Sequence, residues 1–84
     1  MKTLLNDRSL VVHELNNGDQ ICVSYTTCVG FYSKETECIS ISAKKWSNTT
    51  SRHINKWITT FVKDVNAVRV DVPQSDLDTI QRLI

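Results

Sequence analysis

Cysteine and histidine are the residues of this chain best suited to nucleophilic catalysis or metal binding. There are three cysteines, Cys22, Cys28 and Cys38, and two histidines, His13 and His53. A catalytic pair would need Cys28 beside His53. A zinc site would need three or four converging ligands, and Cys22 and Cys28 could share one face of a strand. Because the cysteine count is odd and no C-x-x-C pair occurs, we expect ordinary thiols, no metal, no cofactor and no enzymatic activity.

Motifs with a known catalytic mechanism are also missing from the sequence. There is no G-x-S-x-G and no H-E-x-x-H, and two glycines in 84 residues do not make a phosphate loop. Free thiols suit a reducing compartment. No apolar stretch approaches the roughly 20 residues that span a bilayer, and residues 1–8 lack the apolar region of a signal peptide. We expect a cytoplasmic protein with a single domain, residues 1–84, and no membrane partner.

The clearest binding chemistry lies in the basic stretch of residues 44–63. No acidic residue occurs in it, although the net charge of the whole chain is only +1. A helix start that offers hydroxyls, free amides and an arginine is a favourable phosphate site. The stretch is therefore either a contact surface for nucleic acid or an acidic protein face, or a solvated helix face that happens to be basic. The candidate binding residues are Lys44, Lys45, Trp46, Thr49, Thr50, Ser51, Arg52, His53, Lys56 and Lys63.

An amphipathic helix positions most of these residues. Apolar side chains recur at helical spacing in Ile54, Trp57, Ile58, Phe61 and Val62, so Trp57 belongs to the core. Residues 47–50 all carry side-chain oxygens that can cap a first turn. The helix should run from residues 48–51 to about Val62 and end by residues 64–66. Trp46, just before the cap, either packs as a hydrophobic staple or is exposed for stacking.

The chain before this helix reads as β structure. Residues 10–15 and 21–25 flank an Asn-Asn-Gly-Asp turn, and the β pattern continues to Tyr32, either as one bent strand or as two strands meeting at a kink. Gly30 indicates a bulge or a close backbone approach. Residues 38–42 alternate with Ile39 and Ile41 inward. We predict a three-stranded antiparallel meander, preceded by a partly ordered lead-in at residues 1–8.

After the helix, the pattern predicts one more strand and one more helix. Residues 68–72 alternate, and Pro73 ends that strand. Ser75 is a natural N-cap for a short C-terminal helix, whose apolar stripe would comprise Leu77, Ile80, Leu83 and Ile84. The predicted fold class is α+β, with the order β-β-β-α-β-α.

Two segments, residues 24–30 (SYTTCVG) and residues 46–57 (WSNTTSRHINKW), resemble a family of short uncharacterised proteins of bacteriophages and mobile elements. That family pairs a Tyr-Ser-Thr-x-Val-Ala strand with a later Ser-x-Thr-Thr-Ser-x-His-Ile-Asn-x-Trp segment. The chain departs from it at Cys28, where a small residue or proline is usual, and at Gly30, which replaces alanine. Residues 68–84 lie outside the resemblance.

The resemblance implies a small accessory protein in a bacterial host cytoplasm, and small phage accessory proteins commonly act by stoichiometric binding. The hypothesis is a non-enzymatic interaction with a host protein or ribonucleoprotein complex, for example inhibition of a defence system such as a CRISPR effector. The alternative is direct DNA or RNA binding, with Arg52 and Lys56 on phosphates and Tyr25, Tyr32 or Trp46 stacking on bases. The exposed edges of a small sheet also make a homodimer plausible.

Overall fold

The fold is built on one six-stranded sheet with the strand order β1-β2-β3-β4-β5-β6. A computed structural model describes residues 1–82. The strands are β1 (Lys2–Asn6), β2 (Leu10–Glu14), β3 (Gln20–Ser24), β4 (Thr27–Ser33), β5 (Cys38–Ser42) and β6 (Val68–Val72). Strands β1 to β5 form an antiparallel meander, and β6 pairs with β5 in parallel. The α+β class is confirmed, but the predicted three-stranded meander is wrong, because the meander has five strands.

The first strand that the prediction lacked is β1. The sequence predicted residues 1–8 to be a partly ordered lead-in. Two adjacent leucines, Leu4 and Leu5, break the strict alternation expected of a strand. The register with β2 shifts between Thr3 and Leu5, and both leucines pack against the same core cluster. A local irregularity of this kind redirects a side chain without ending the strand, which is why alternation alone missed it.

The second additional strand arises from residues 21–32, which form two strands, one of the two alternatives that the sequence left open. Ser24 pairs with Thr27, so Tyr25 and Thr26 make a two-residue turn. A further irregularity lies between Cys22 and Val23, opposite residues 28–30 of β4. The bulge expected at Gly30 is thus found in this hairpin.

The main helix, α1 (Asn48–Trp57), begins at the N-cap Ser47, whose hydroxyl accepts a hydrogen bond from the Thr50 backbone N–H at 3.4 Å. It continues through one π-helical segment (Ile58–Val62). Lys63 then adopts a left-handed backbone with φ 53° and donates its N–H to the Ile58 carbonyl. The helix therefore ends at Val62, as predicted from the apolar spacing, and before residues 64–66, because a left-handed residue cannot continue a right-handed helix.

The second helix, α2 (Gln74–Gln81), begins one residue before the predicted cap. Its N-cap is Pro73, with no side-chain hydrogen bond, and Ser75 lies inside the first turn. The Pro73 carbonyl accepts a hydrogen bond from the Asp76 backbone N–H at 3.0 Å, so the first turn forms without a capping side chain. Leu83 and Ile84, predicted to extend the apolar stripe, lie outside the described residues.

The two helices cover opposite faces of the sheet. The α1-side core consists of Leu10, Val12, Cys22, Val29, Tyr32, Ile39, Ile54, Trp57 and Val62. The α2-side core consists of Ile21, Val23, Cys28 and Leu77. Cys22 and Cys28 therefore lie on opposite faces, and the expectation that they share one is wrong. Among residues 1–82, neither helix has the length and apolar character needed to cross a bilayer.

Candidate functional site

Cationic side chains are exposed along α1 and at both of its ends. We call this set the basic surface; its members are Lys44, Lys45, Arg52, Lys56 and Lys63. Arg52 and Lys56 are four residues apart, so they lie on one side of the helix. Thr49 and Ser51 are exposed beside them. The structure thus leaves seven of the ten predicted binding residues exposed, and four of these, Thr49, Ser51, Arg52 and Lys56, lie on α1, which is fixed to the sheet by Trp57.

Thr50 departs from this group because it is buried, with 5 % of its surface exposed. Its hydroxyl lies 3.2 Å from Ser24 Oγ and 3.5 Å from Ser47 Oγ. A buried hydroxyl needs partners of this kind, since leaving it unpaired would be costly. Thr50 therefore positions the start of α1 and is not available to a ligand.

His53 is the second predicted residue that the fold uses internally. Its Nδ1 lies 2.8 Å from Ser24 Oγ, and its Nε2 lies 3.3 Å from Ser9 Oγ. The imidazole therefore links α1 to the end of β3 and to the residue preceding β2. Both ring nitrogens are occupied by hydroxyls, so His53 holds the helix start against the sheet.

The Ser24 and His53 pair has the spacing of a nucleophile and its general base. Ser24, however, is only 3 % exposed, and its Oγ also contacts Thr50. A substrate could not reach this oxygen without opening the interface between α1 and the sheet. The geometry is that of a largely buried hydrogen-bond network that connects α1, β3 and the residue preceding β2.

Cys28 and His53 do not form a catalytic pair, because they lie on opposite sides of the sheet. Cys28 lies in the α2-side core, where its backbone N–H donates to Gln81 Oε1 and its carbonyl accepts from Gln74 Nε2. Burial disfavours its thiolate and raises the pKa of Cys28 to about 11. Burial raises the pKa of Cys22 as well, and by more. Within residues 1–82, no three cysteine, histidine or acidic side chains converge as a metal site would require.

Trp46 is intermediate between the exposed residues of the basic surface and the buried residues that the fold uses internally. Its side chain is half-buried and packs against the α1-side core, and its buried Nε1 has no hydrogen-bond partner in the described structure. The Lys44 ammonium lies 4.9 Å from the ring centroid, within cation–π distance. This placement favours the packing role over stacking on a ligand.

Tyr25 is an exposed aromatic residue next to the helix start. The residue is 56 % exposed, and its ring centroid lies 5.8 Å from that of His53 at an interplanar angle of 54°. Its φ of 56° is unusual for a bulky residue, and its N–H donates to the Ser9 carbonyl at 2.8 Å. A positive φ is what the first position of a two-residue hairpin turn requires, so the exposure of the ring beside His53 is what makes Tyr25 a candidate contact residue at the helix start.

Tyr32, by contrast, is buried, and its hydroxyl donates to Asp64 Oδ2 at 2.7 Å. The hydrogen bond to the Asp64 carboxylate, together with burial, raises the pKa of Tyr32 to about 12. Tyr32 is therefore not available for base stacking.

The sequence did not predict Ser9 and Ser24 as partners of His53. They precede it by 44 and 29 residues, and no local pattern links positions so far apart.

A family described only as a family of unknown function (DUF8033) matches residues 2–78. The chain belongs to the DUF8033 family. The matched range covers both segments that carry the resemblance to phage and mobile-element proteins, and it includes all six strands, α1 and the start of α2. No curated protein and no solved structure matches the chain.

Proposed function

We propose that the protein acts by stoichiometric binding, with the basic surface docking on an acidic face of a larger host protein or ribonucleoprotein complex. The observation that carries this proposal is the placement of all five cations on exposed positions around one helix. The stretch of residues 44–63 contains no carboxylate to neutralise them. Complementary charge across an interface accelerates encounter and fixes register.

The rigidity of α1 supports the same proposal. The side chains of Trp57 and Ile54 anchor the buried face of the helix. His53 is hydrogen-bonded to the hydroxyls of Ser9 and Ser24. Arg52 and Lys56 therefore project from a backbone that does not need to order on binding. Such preorganisation reduces the entropic cost of association.

The class of partner is inferred from the resemblance to phage and mobile-element proteins. Small accessory proteins of such elements block or redirect host enzymes by binding them. Inhibition of a host defence system, such as a CRISPR effector, is the form of this activity that we propose for the DUF8033 chain in the bacterial cytoplasm.

The test is affinity capture from a bacterial host, followed by mass spectrometry and by direct binding to the purified partner. The double variant Arg52→Glu/Lys56→Glu should weaken partner binding by about 10-fold or more. Lys34→Glu/Arg82→Glu is the matched control, since it reverses one lysine and one arginine at exposed positions that do not belong to the basic surface. Equal capture by the wild type and the Arg52/Lys56 variant would reject the basic surface as the docking site.

Direct binding to DNA or RNA is a second candidate, favoured by the exposed Tyr25 beside the helix start. In this case Arg52 and Lys56 would contact phosphates while Tyr25 stacks on a base. Tyr25→Ala should weaken binding by about 5- to 150-fold, from the usual stacking contribution of about 1–3 kcal/mol, and Tyr25→Phe should preserve it. Fluorescence anisotropy with labelled single- and double-stranded probes provides the measurement. No binding at low salt, where phosphate contacts are strongest, would reject this candidate.

A further inference from the structure

Strand β6 is one of the two edge strands of the sheet. Its residues alternately direct their backbone N–H and C=O groups toward β5 and toward solvent. The Val68 N–H donates to the Glu37 carbonyl at 2.9 Å, and the Val72 carbonyl accepts from the Ala43 N–H at 2.8 Å. Both residues therefore direct their backbone groups toward β5. Because N–H and C=O of successive strand residues point to opposite sides, Arg69 and Asp71 direct theirs outward. The free edge thus presents the donors and acceptors of these two residues.

The side chains of β6 alternate in the other direction, between the two faces of the sheet. Arg69 pairs with Ile39 of the α1-side core, and the side chains of directly paired strand residues share a face. Arg69 and Asp71 therefore lie on the α1 face, and both are exposed. On the α2 face, Val68 is 65 % exposed and Val70 is 42 % exposed. Among residues 1–82, this edge combines backbone groups without a partner, two opposite charges and exposed apolar side chains.

We propose that β6 pairs antiparallel with β6 of a second copy of the chain, centred on Val70, which joins the two sheets into one continuous sheet. The sequence Val-Arg-Val-Asp-Val is self-complementary in this register. Arg69 lies opposite Asp71 of the second copy, and Asp71 lies opposite Arg69. These are the two residues whose backbone groups face outward, so each pair exchanges two backbone hydrogen bonds and also places opposite charges side by side. Val70 meets Val70 across the two-fold axis, as an isologous interface requires.

Neighbouring registers are less favourable for identifiable reasons. Centring the pair on Arg69 would place two arginines directly opposite each other, and centring it on Asp71 would do the same with two aspartates, which is destabilising. Centring on Asp71 would also oppose Arg69 to Pro73, which has no N–H to donate. Sliding one strand by a single residue relative to the other would pair Arg69 with Val70, and so place outward-facing backbone groups opposite inward-facing ones. Charge and hydrogen bonding therefore select the same register.

The other edge of the sheet is a poorer candidate for this contact. Strand β1 carries the register irregularity between Thr3 and Leu5 and the lysine Lys2, both of which discourage edge-to-edge pairing. Strand β6 pairs with β5 without irregularity over all five residues, and its proline follows the strand. The partner is a second copy, and not an unrelated extended peptide, because the charge pattern of β6 complements itself.

Charge reversal tests the proposal. Sedimentation velocity over a concentration series should show a reversible dimer for the wild type. Arg69→Glu would face Asp71 across the interface, and Asp71→Arg would face Arg69, so each variant should weaken dimerisation by about 10-fold or more through two symmetric pairs. The swap Arg69→Glu/Asp71→Arg should restore the wild-type affinity. An equimolar mixture of the two single variants should form a heterodimer, because the introduced glutamate then faces the introduced arginine and the remaining native Asp71 and Arg69 face each other.

Both side chains are exposed, so at dilutions where the wild type is monomeric the single variants should keep its circular dichroism and melting temperature. Asp76→Arg, an exposed position on α2, is the matched control and should leave the dimer intact. A wild type that remains monomeric at millimolar concentration would overturn the proposal. A dimer that is insensitive to both reversals, or a swap that fails to rescue, would also overturn it by placing the interface or register elsewhere.

A disulfide gives an independent geometric test. In the proposed register, Val70 and its symmetry mate form a non-hydrogen-bonded pair with Cα atoms about 4.5 Å apart, within the range that a disulfide spans. Val70→Cys in a Cys38→Ser background should therefore oxidise to a covalent dimer. Val68→Cys in the same background should not, because residue 68 faces Val72 of the second copy. Equal crosslinking at positions 68 and 70 would contradict the register.

Discussion

The indole ring of Trp57 lies directly against the backbone of Gly30. A Cβ built on Gly30 would lie 2.9 Å from Cη2 and 3.1 Å from Cε3 of that ring, closer than side-chain atoms normally approach. The helix can therefore sit this low on the sheet only because residue 30 has no side chain. Trp57 is fully buried as a result, and its indole N–H reaches Gln20 Oε1 at 3.1 Å.

Gly30→Ala should destabilise the protein by about 1–3 kcal/mol, the usual cost of forcing a methyl group into a packed interior. The added Cβ must displace the Trp57 ring or lift α1 from the sheet. Urea unfolding followed by tryptophan fluorescence measures the change. Ser33→Ala, on the same strand, is the control and should stay within about 0.5 kcal/mol of the wild type. An unchanged midpoint for Gly30→Ala would show that the close approach does not exist in solution.

Gln20→Leu should cost about 2–4 kcal/mol, because it leaves the buried Trp57 indole N–H and the part-buried Phe61 carbonyl without their partner. The buried Gln20 amide donates to the Phe61 carbonyl at 2.9 Å and accepts from the Trp57 indole. Phe61 lies in the last helical turn, where carbonyls have no partner within the helix. In a Trp57→Phe background the same substitution should cost less, since one of the two groups is gone. An identical cost in both backgrounds would argue against the indole hydrogen bond.

The Tyr32 phenol should titrate with a pKa of about 12, above its ordinary value of 10.0. The hydrogen bond to Asp64 is the main cause, so Asp64→Asn should lower this pKa. A pKa raised by folding contributes stability that is fully present below about pH 10 and is lost as the pH rises through 12. Ultraviolet absorbance of tyrosinate in a Tyr25→Phe background isolates Tyr32 as the remaining tyrosine. An ordinary pKa there would mean that the Asp64 contact is not populated.

Thiol reagents should distinguish the three cysteines. Cys38 is half-buried, whereas Cys22 and Cys28 are buried, with pKa values raised by desolvation. In native buffer we expect one rapidly modified thiol per chain, and three after denaturation. Cys38→Ser should remove the rapid phase and leave slow modification limited by opening of the core. A rapid phase that survives in this variant would show that Cys22 or Cys28 is accessible.

Local periodicity explains why the elements around the helix were predictable. The spacing of Ile54, Trp57 and Phe61 identifies α1 regardless of what it packs on. The alternation in β5 and β6 does the same for two strands, and the bounds of β6 were predicted as residues 68–72. Strands β1 and β4 were harder to see, because a register shift and a tight turn at Tyr25 interrupt the period on which such reasoning depends.

The candidate site shows the same division. The sequence alone placed Arg52 and Lys56 on the solvent side of a helix, since charge and spacing suffice for that inference. It also grouped Thr50 and His53 with them, and the structure turns both inward toward hydroxyls of Ser24 and Ser9. Whether a polar residue near a helix start faces solvent or the sheet depends on which strands lie beneath it.

By itself, the sequence determined an α+β chain without a recognisable catalytic motif and with a basic amphipathic helix at its centre. These properties are set by composition and by contacts between residues a few positions apart. Only the tertiary structure decided that Gly30 admits Trp57, that Cys22 and Cys28 face opposite cores, and that β6 is left as an open edge. Each of these depends on the order in which strands pair, and strand order follows from the summed burial of the whole sheet and not from any one segment.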